Sequence, residues 1–262
     1  VSPLLQALAG FGSGLAGGAL SGMFGIGGGI VLVPLLGLAL GLNQHQAQGV
    51  TLAAMLLPNG LPAVLHYRRR GVPIIWKLVG ILVLGFLAGV YGGSVLANRI
   101  PEGPLRWTFA AFLVLLAARM LLAPGSPGPA PGTGTDTGVP LPAHPWLPGL
   151  AIGCAGGLSS GLLGIGGGVV IIPLLAAWLR MPQHQAQATS LAVMLPPIFL
   201  PGVLVYAAAQ QGLPWAILGG VAGGFMLGAF LGARLATAVK GPVLRIAFAA
   251  VMLAMALLML RP

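Results

Sequence analysis

Charge is almost missing from this chain. Only 5% of its 262 residues are charged, against about a quarter in a soluble domain, so a water-facing shell cannot be assembled from it. Acid is scarcer still. Glu102 and Asp136 are the only carboxylates, which leaves carboxylate-based Na⁺ or H⁺ coupling little to work with, and no nucleophile with a base or cluster of metal ligands is assembled for catalysis. The chain reads as a non-enzyme without cofactor or bound metal. The single cysteine, Cys154, excludes an intrachain disulfide; in its apolar run it reads as a buried small hydrophobe. No cleavable signal peptide is evident, because the first residues lack a charged n-region.

What remains is apolar. Hydrophobic residues make up 57% and the mean hydropathy is +1.00, the composition of an all-α polytopic protein whose partner is the lipid bilayer of a cell membrane, plasma or inner. Twelve Lys and Arg give a formal charge of +10. They are scattered between the apolar runs with no basic helix and no aromatic platform, so they read as topology signals and not as a nucleic-acid face.

The chain also repeats itself. Gly25-Ile26-Gly27-Gly28-Gly29, followed by Val33-Pro34-Leu35-Leu36, returns as Gly164-Ile165-Gly166-Gly167-Gly168 with Pro173-Leu174-Leu175. Gln44-His45-Gln46-Ala47-Gln48 returns as Gln183-His184-Gln185-Ala186-Gln187, and the offset is 139 residues throughout (27 to 166, 45 to 184). This is an internal duplication. Residues 1–123 form a first membrane repeat and 146–262 a second. The Pro-, Gly- and Thr-dense run 124–145 is a linker outside the bilayer.

Each repeat carries about five apolar segments: near 4–23, 28–42, 47–67, 74–97 and 104–123, then 147–162, 167–180, 186–208, 213–235 and 242–260. The segments 28–42 and 167–180 fall short of the roughly 20 residues a crossing needs. Both follow a glycine cluster, so they read as broken or re-entrant half-helices, buried in protein or lining a cavity. With five passages per repeat, or four and a re-entrant hairpin, Arg68, Arg69, Arg70, Lys77, Arg119, Arg180, Arg234, Lys240 and Arg245 fall on one side of the bilayer. Arg99, Arg106 and Arg261 fall on the other. The positive-inside rule therefore predicts inverted repeats, a cytoplasmic linker and both termini outside. Glycines at spacing four (Gly85, Gly89, Gly93; Gly220, Gly224, Gly228, Gly232) mark helix faces for close packing. Prolines 58 and 62, and 196, 197 and 201, are expected to kink the third segment of each repeat.

The candidate site follows from the glycine breaks. Glycine permits positive φ, so successive N–H groups around Gly27, Gly28, Gly29 and Gly166, Gly167, Gly168 can turn inward as an anion nest. The helix behind each adds its unsatisfied N–H groups and positive dipole end. Delivered from opposite leaflets, two such ends make a central site for an anion without formal charge; the bland alternative is close packing around a tight turn. Gln48 with Thr51, and Gln187 with Ser190, form polar stripes on the helices that follow and are candidate ligand contacts. Gln44, Gln46, Gln183 and Gln185 read as interfacial. His45 and His184 are proton carriers or interfacial residues, and Ser21 and Ser160 donate into the site or to backbone.

The duplicated Gly-x-Gly-Gly-Gly with Pro-Leu-Leu, the polar stretch after it, and Ala188-Thr189-Ser190-Leu191 resemble the TauE/SafE family of membrane proteins. That resemblance implies export of sulfite or organosulfonates, small sulfur-containing anions. Two inverted repeats around a central site are expected to work by alternating access of one half against the other. A homodimer is compatible with it. The first half has Val50 where the second has Thr189, so the halves are expected to contribute unequally. The rival reading is a metal-cation permease using His45 and His184, although such sites usually need more His, Cys or carboxylate than these segments hold.

Overall fold

The computed structural model describes residues 3–24, 28–56, 61–69, 71–122, 146–236 and 241–260; among these there are helices and connections but no strand. The first repeat forms α1 (Pro3–Phe24), α2 (Gly29–Leu40), α3 (Gln44–Ala54), α4 (Leu61–Arg69), α5 (Trp76–Arg99) and α6 (Glu102–Leu122). The second forms α7 (Trp146–Leu163), α8 (Gly168–Trp178), α9 (Gln183–Val193), α10 (Leu200–Ala209), α11 (Trp215–Ala236) and α12 (Gly241–Met259). The duplication extends to the helix starts. Residues 29 and 168, 44 and 183, 61 and 200, 76 and 215, and 102 and 241 each open a helix at the same offset. The linker, 124–145, lies outside the described residues.

Helices α1, α5, α6, α7 and α11 are each long and apolar enough to cross a bilayer, so the chain is an all-α multi-pass membrane protein. α2 and α8 are not. At 12 and 11 residues and 1.5 Å per residue they reach roughly 16–18 Å, about half of the hydrocarbon core. The third segment of each repeat is divided into two helices rather than kinked. Between α9 and α10, Pro196 and Pro197 remove two N–H donors and clash with the preceding turn, so the chain leaves the helix until Leu200. Pro201 then stands within the first two positions of α10, where no intrahelical N–H is needed. Pro58 lies outside the described residues.

The helices pack as two compact units, and each unit draws on both repeats. One holds residues 1–47, 100–135 and 214–262; the other holds 48–99 and 136–213. The division runs through α3, between Ala47 and Gln48.

In the first unit α1 and α11 lie side by side and parallel. Gly10, Gly14 and Gly18 meet the backbone of Ile217, Val221 and Phe225, while Gly220, Gly224, Gly228 and Gly232 meet that of Ala7, Phe11, Leu15 and Ala19. The second unit repeats this pairing with the repeats exchanged. On α5, Gly85, Gly89 and Gly93 face Leu150, Cys154 and Leu158 of α7; in return Gly153, Gly157 and Gly161 face Leu82, Phe86 and Val90. The glycine stripes are thus packing faces, as their spacing predicts. Also in the first unit, Arg106 near the start of α6 donates to the carbonyl of Met259 at the end of α12, so this packed pair of repeat-equivalent helices runs antiparallel.

Cys154 departs from the expectation of burial: it is exposed. Its backbone faces Gly89, and in a membrane-spanning helix an outward-facing small apolar side chain meets lipid, which costs nothing.

Candidate functional site

In the second unit the break after α7 is made by Gly164 and Gly166, at φ 69° and 77°, a left-handed conformation that glycine adopts without Cβ strain. Gly167 follows as N-cap of α8 with φ −71°, so its lack of a side chain serves another purpose. A methyl there would overlap the ring of Phe86 on α5. The first unit does the same: Gly28, N-cap of α2 at φ −65°, leaves room for the ring of Phe225 on α11. Phe86 and Phe225 are themselves 139 residues apart. Gly28 and Gly167 are therefore not positive-φ members of a nest. They are small so that an aromatic ring from the other repeat can rest on the helix start. Gly27 lies outside the described residues.

Neither helix start is capped by a side chain, which leaves first-turn N–H groups unclaimed by any capping oxygen. Gly29 and Gly168, the first residues of α2 and α8, are buried. A methyl on Gly168 would stand 3.5 Å from Ser190 Oγ, so this hydroxyl of α9 lies against the first turn of α8.

The second unit also buries polar side chains. Gln48, Thr51, Ser160 and Thr189 are wholly enclosed and Ser190 nearly so; Gln187 is half-buried. Ser160 Oγ, Thr189 Oγ1 and one end of the Gln48 carboxamide have no hydrogen-bond partner. Such atoms are costly in an apolar interior and gain most from a bound polar solute or water. Gln48 lies against the break, since a methyl on Gly164 would sit 3.0 Å from its Cα.

Two residues that the sequence reading missed organise the glutamines. The Tyr206 hydroxyl, on α10, lies 2.7 Å from the Gln48 carboxamide oxygen and 2.8 Å from the carbonyl oxygen of Gly161. The Tyr67 hydroxyl, on α4, donates to Gln187 Oε1 at 2.9 Å. Tyr67 and Tyr206 share the 139 offset, as do Gln48 and Gln187. Each tyrosine therefore holds the glutamine of the other repeat. A signal was available: the chain has only three tyrosines, and two of them obey the duplication.

Other candidates fall elsewhere. In the first unit Ser21 is half-buried beside Gly28. Glu102 on α6 accepts a hydrogen bond from the Gln44 N–H at 3.1 Å, so a carboxylate stabilises the first turn of α3. His45 is half-buried there with Nδ1 buried and unpartnered. Burial lowers its pKa, and the negative charge of Glu102 opposes that shift. Gln44 is buried and lines a cavity of about 110 Å³ with Pro34, Leu38, Glu102, Arg106 and Met259. Gln185, expected at an interface, is also buried. The side chains of Gln183 and His184 lie outside the described residues. Among the described residues no three of His, Cys, Asp and Glu come together as metal ligands would.

Comparison with known proteins agrees on the family. The profile described as Sulfite exporter TauE/SafE matches residues 10–259. A probable membrane transporter protein of Haemophilus influenzae is 30% identical over 66% of this chain, a match covering 61% of that protein. The chain thus aligns with less than two thirds of that relative's length. The probable membrane transporter protein YdhB of Bacillus subtilis is 27% identical over 83% of this chain and 85% of its own. One from Methanocaldococcus jannaschii is 29% identical over 74% and 69%. No solved structure matches.

Proposed function

Because the chain belongs to the TauE/SafE family of membrane transporters, we propose that its substrate is a small sulfur-containing oxyanion, sulfite or an organosulfonate, bound by neutral donors and moved by alternating access. One observation carries this reading: buried polar atoms without protein partners (Ser160, Thr189, Gln48) are gathered in the unit that holds the glycine break and the uncapped start of α8. Uncharged donors suit a carrier that must release its cargo, since a fully paired arginine would hold an anion more tightly.

In this proposal Gly166, Gly167, Gly168, Ser160, Gln48, Thr51, Gln187 and Ser190 form the site of the second unit. Gly27, Gly28, Gly29 and Ser21 are the equivalent candidate set of the first repeat. The antiparallel meeting of α6 and α12 and the crossed Tyr–Gln pairs are what an inverted two-fold relation between repeats requires, and they support it. Each compact unit is knitted from both repeats.

The test is uptake of labelled sulfite into proteoliposomes holding the full chain. Saturable uptake above that of empty vesicles is expected, and it should fall about ten-fold or more when Gln48 becomes Leu in folded protein. Uptake equal to empty vesicles would refute the reading.

A further inference from the structure

The phenol of Tyr206 carries one hydrogen and meets two oxygens, one on Gln48 and one on Gly161. With the carboxamide oxygen toward the phenol, one of these two close contacts has no hydrogen in it and is repulsive. The two ends of a carboxamide have the same shape, so hydrogen counting decides which end faces the phenol. Turning the amide gives each of the two contacts a hydrogen. Gln48 Nε2–H donates to the phenol oxygen, and the phenol O–H donates to the Gly161 carbonyl. The end of Gln48 that then faces away from the phenol is its carbonyl oxygen, an acceptor inside a wholly buried residue. Tyr206 is itself wholly buried, and its Cβ would stand 2.9 Å from a methyl on Gly49, so the chain Gln48–Tyr206–Gly161 is held from both sides.

A buried acceptor beside the glycine break selects for more than charge. Donors favour any oxyanion, but a lone carbonyl oxygen repels a bare anionic oxygen and welcomes one that carries a hydrogen. Resting on the proposed function above, we infer that Tyr206 is a positioning residue for Gln48. The carboxamide it holds reads a proton on the substrate, so that the site takes a monoprotonated oxyanion such as hydrogensulfite in preference to a sulfonate of the same charge. The contribution is one of specificity. The α8 start and the hydroxyls hold the anionic oxygens, and Gln48 accepts from the remaining O–H.

Hydrogensulfite and methanesulfonate, both monoanions at pH 6, test this in proteoliposomes of the full chain at equal concentration. The wild type is expected to move hydrogensulfite about ten-fold faster, the effect of one hydrogen bond to a buried polar group made or lost. Tyr206→Phe frees the amide to present its NH₂ end, and the preference should shrink to about two-fold or less. Thermal unfolding of each variant is followed alongside. Gln48→Leu should abolish the preference, and adding Tyr206→Phe to it should change the ratio no further, which a general loss of stability would not reproduce. An unchanged ratio in folded Tyr206→Phe protein overturns the inference, as does a wild type that moves anions without preference. A wild type that moves no anion overturns the transport reading itself, and this inference with it.

Discussion

Tyr206 reaches across from the second repeat to meet the Gln48 carboxamide of the first at 2.7 Å, and Tyr67 returns the gesture to Gln187. The two bonds differ in setting: Tyr206 and Gln48 are wholly enclosed, whereas Tyr67 and Gln187 are partly exposed. Replacing Tyr206 by Phe leaves a buried amide and the Gly161 carbonyl without their shared hydroxyl. That change should cost about 1–3 kcal/mol, and Tyr67→Phe distinctly less. Thermal unfolding in detergent measures both, and equal losses would count against the burial argument.

The parallel pairs α1/α11 and α5/α7 depend on glycine where backbones touch. Gly93 faces the backbone of Leu158, while a methyl on its neighbour Gly92 would meet nothing within 4 Å. Gly93→Leu should therefore destabilise the fold by about 1–3 kcal/mol or more through overpacking, and Gly92→Leu should stay within about 0.5 kcal/mol. The ratio of folded to aggregated protein in size-exclusion profiles reads the difference, and similar profiles would contradict the packing assignment.

At the start of α8, Gly167 and the Phe86 ring share one space. Gly167→Ala should cost about 1–3 kcal/mol alone. Combined with Phe86→Leu, which vacates the ring, the double variant should be more stable than the sum of the singles predicts. Additive losses would show that the ring does not set the glycine requirement.

His45 links stability to pH. Its pKa is lowered from 6.5 in the folded protein, by burial against the opposing pull of Glu102. Below 6.5 the unfolded chain takes up a proton that the folded chain resists, so this residue's contribution is complete above 6.5 and is lost as pH falls through the lowered value. His45→Gln should flatten the decline in unfolding temperature as pH falls below 6.5. A decline that persists unchanged would assign it to other groups.

Much of this was legible in the residues. The duplication predicted paired helices, and the starts of α3 and α9 keep its offset. The shortness of the segments after Gly29 and Gly168 followed from counting, and the glycine stripes from spacing four. The exchange of partners was not legible, because α1 could pack on either α5 or α11 with the same local pattern. Only tertiary contact chooses between them. The close neighbours of Gly28 and Gly167 were hidden for a related reason: glycine signals both a left-handed backbone and a close approach, and the rings concerned, Phe225 and Phe86, lie far along the chain. The split third segments were expected only as kinks, since Pro196 and Pro197 set where a helix stops but not where the next begins.

The most direct test is the rate of labelled sulfite entry into proteoliposomes containing the wild type beside those containing Gln48→Leu, both verified as folded. Saturable entry in the first, reduced about ten-fold or more in the second, is the predicted result. Entry no faster than into empty vesicles, or entry indifferent to the loss of Gln48, would contradict a site built from uncharged polar groups in the second unit.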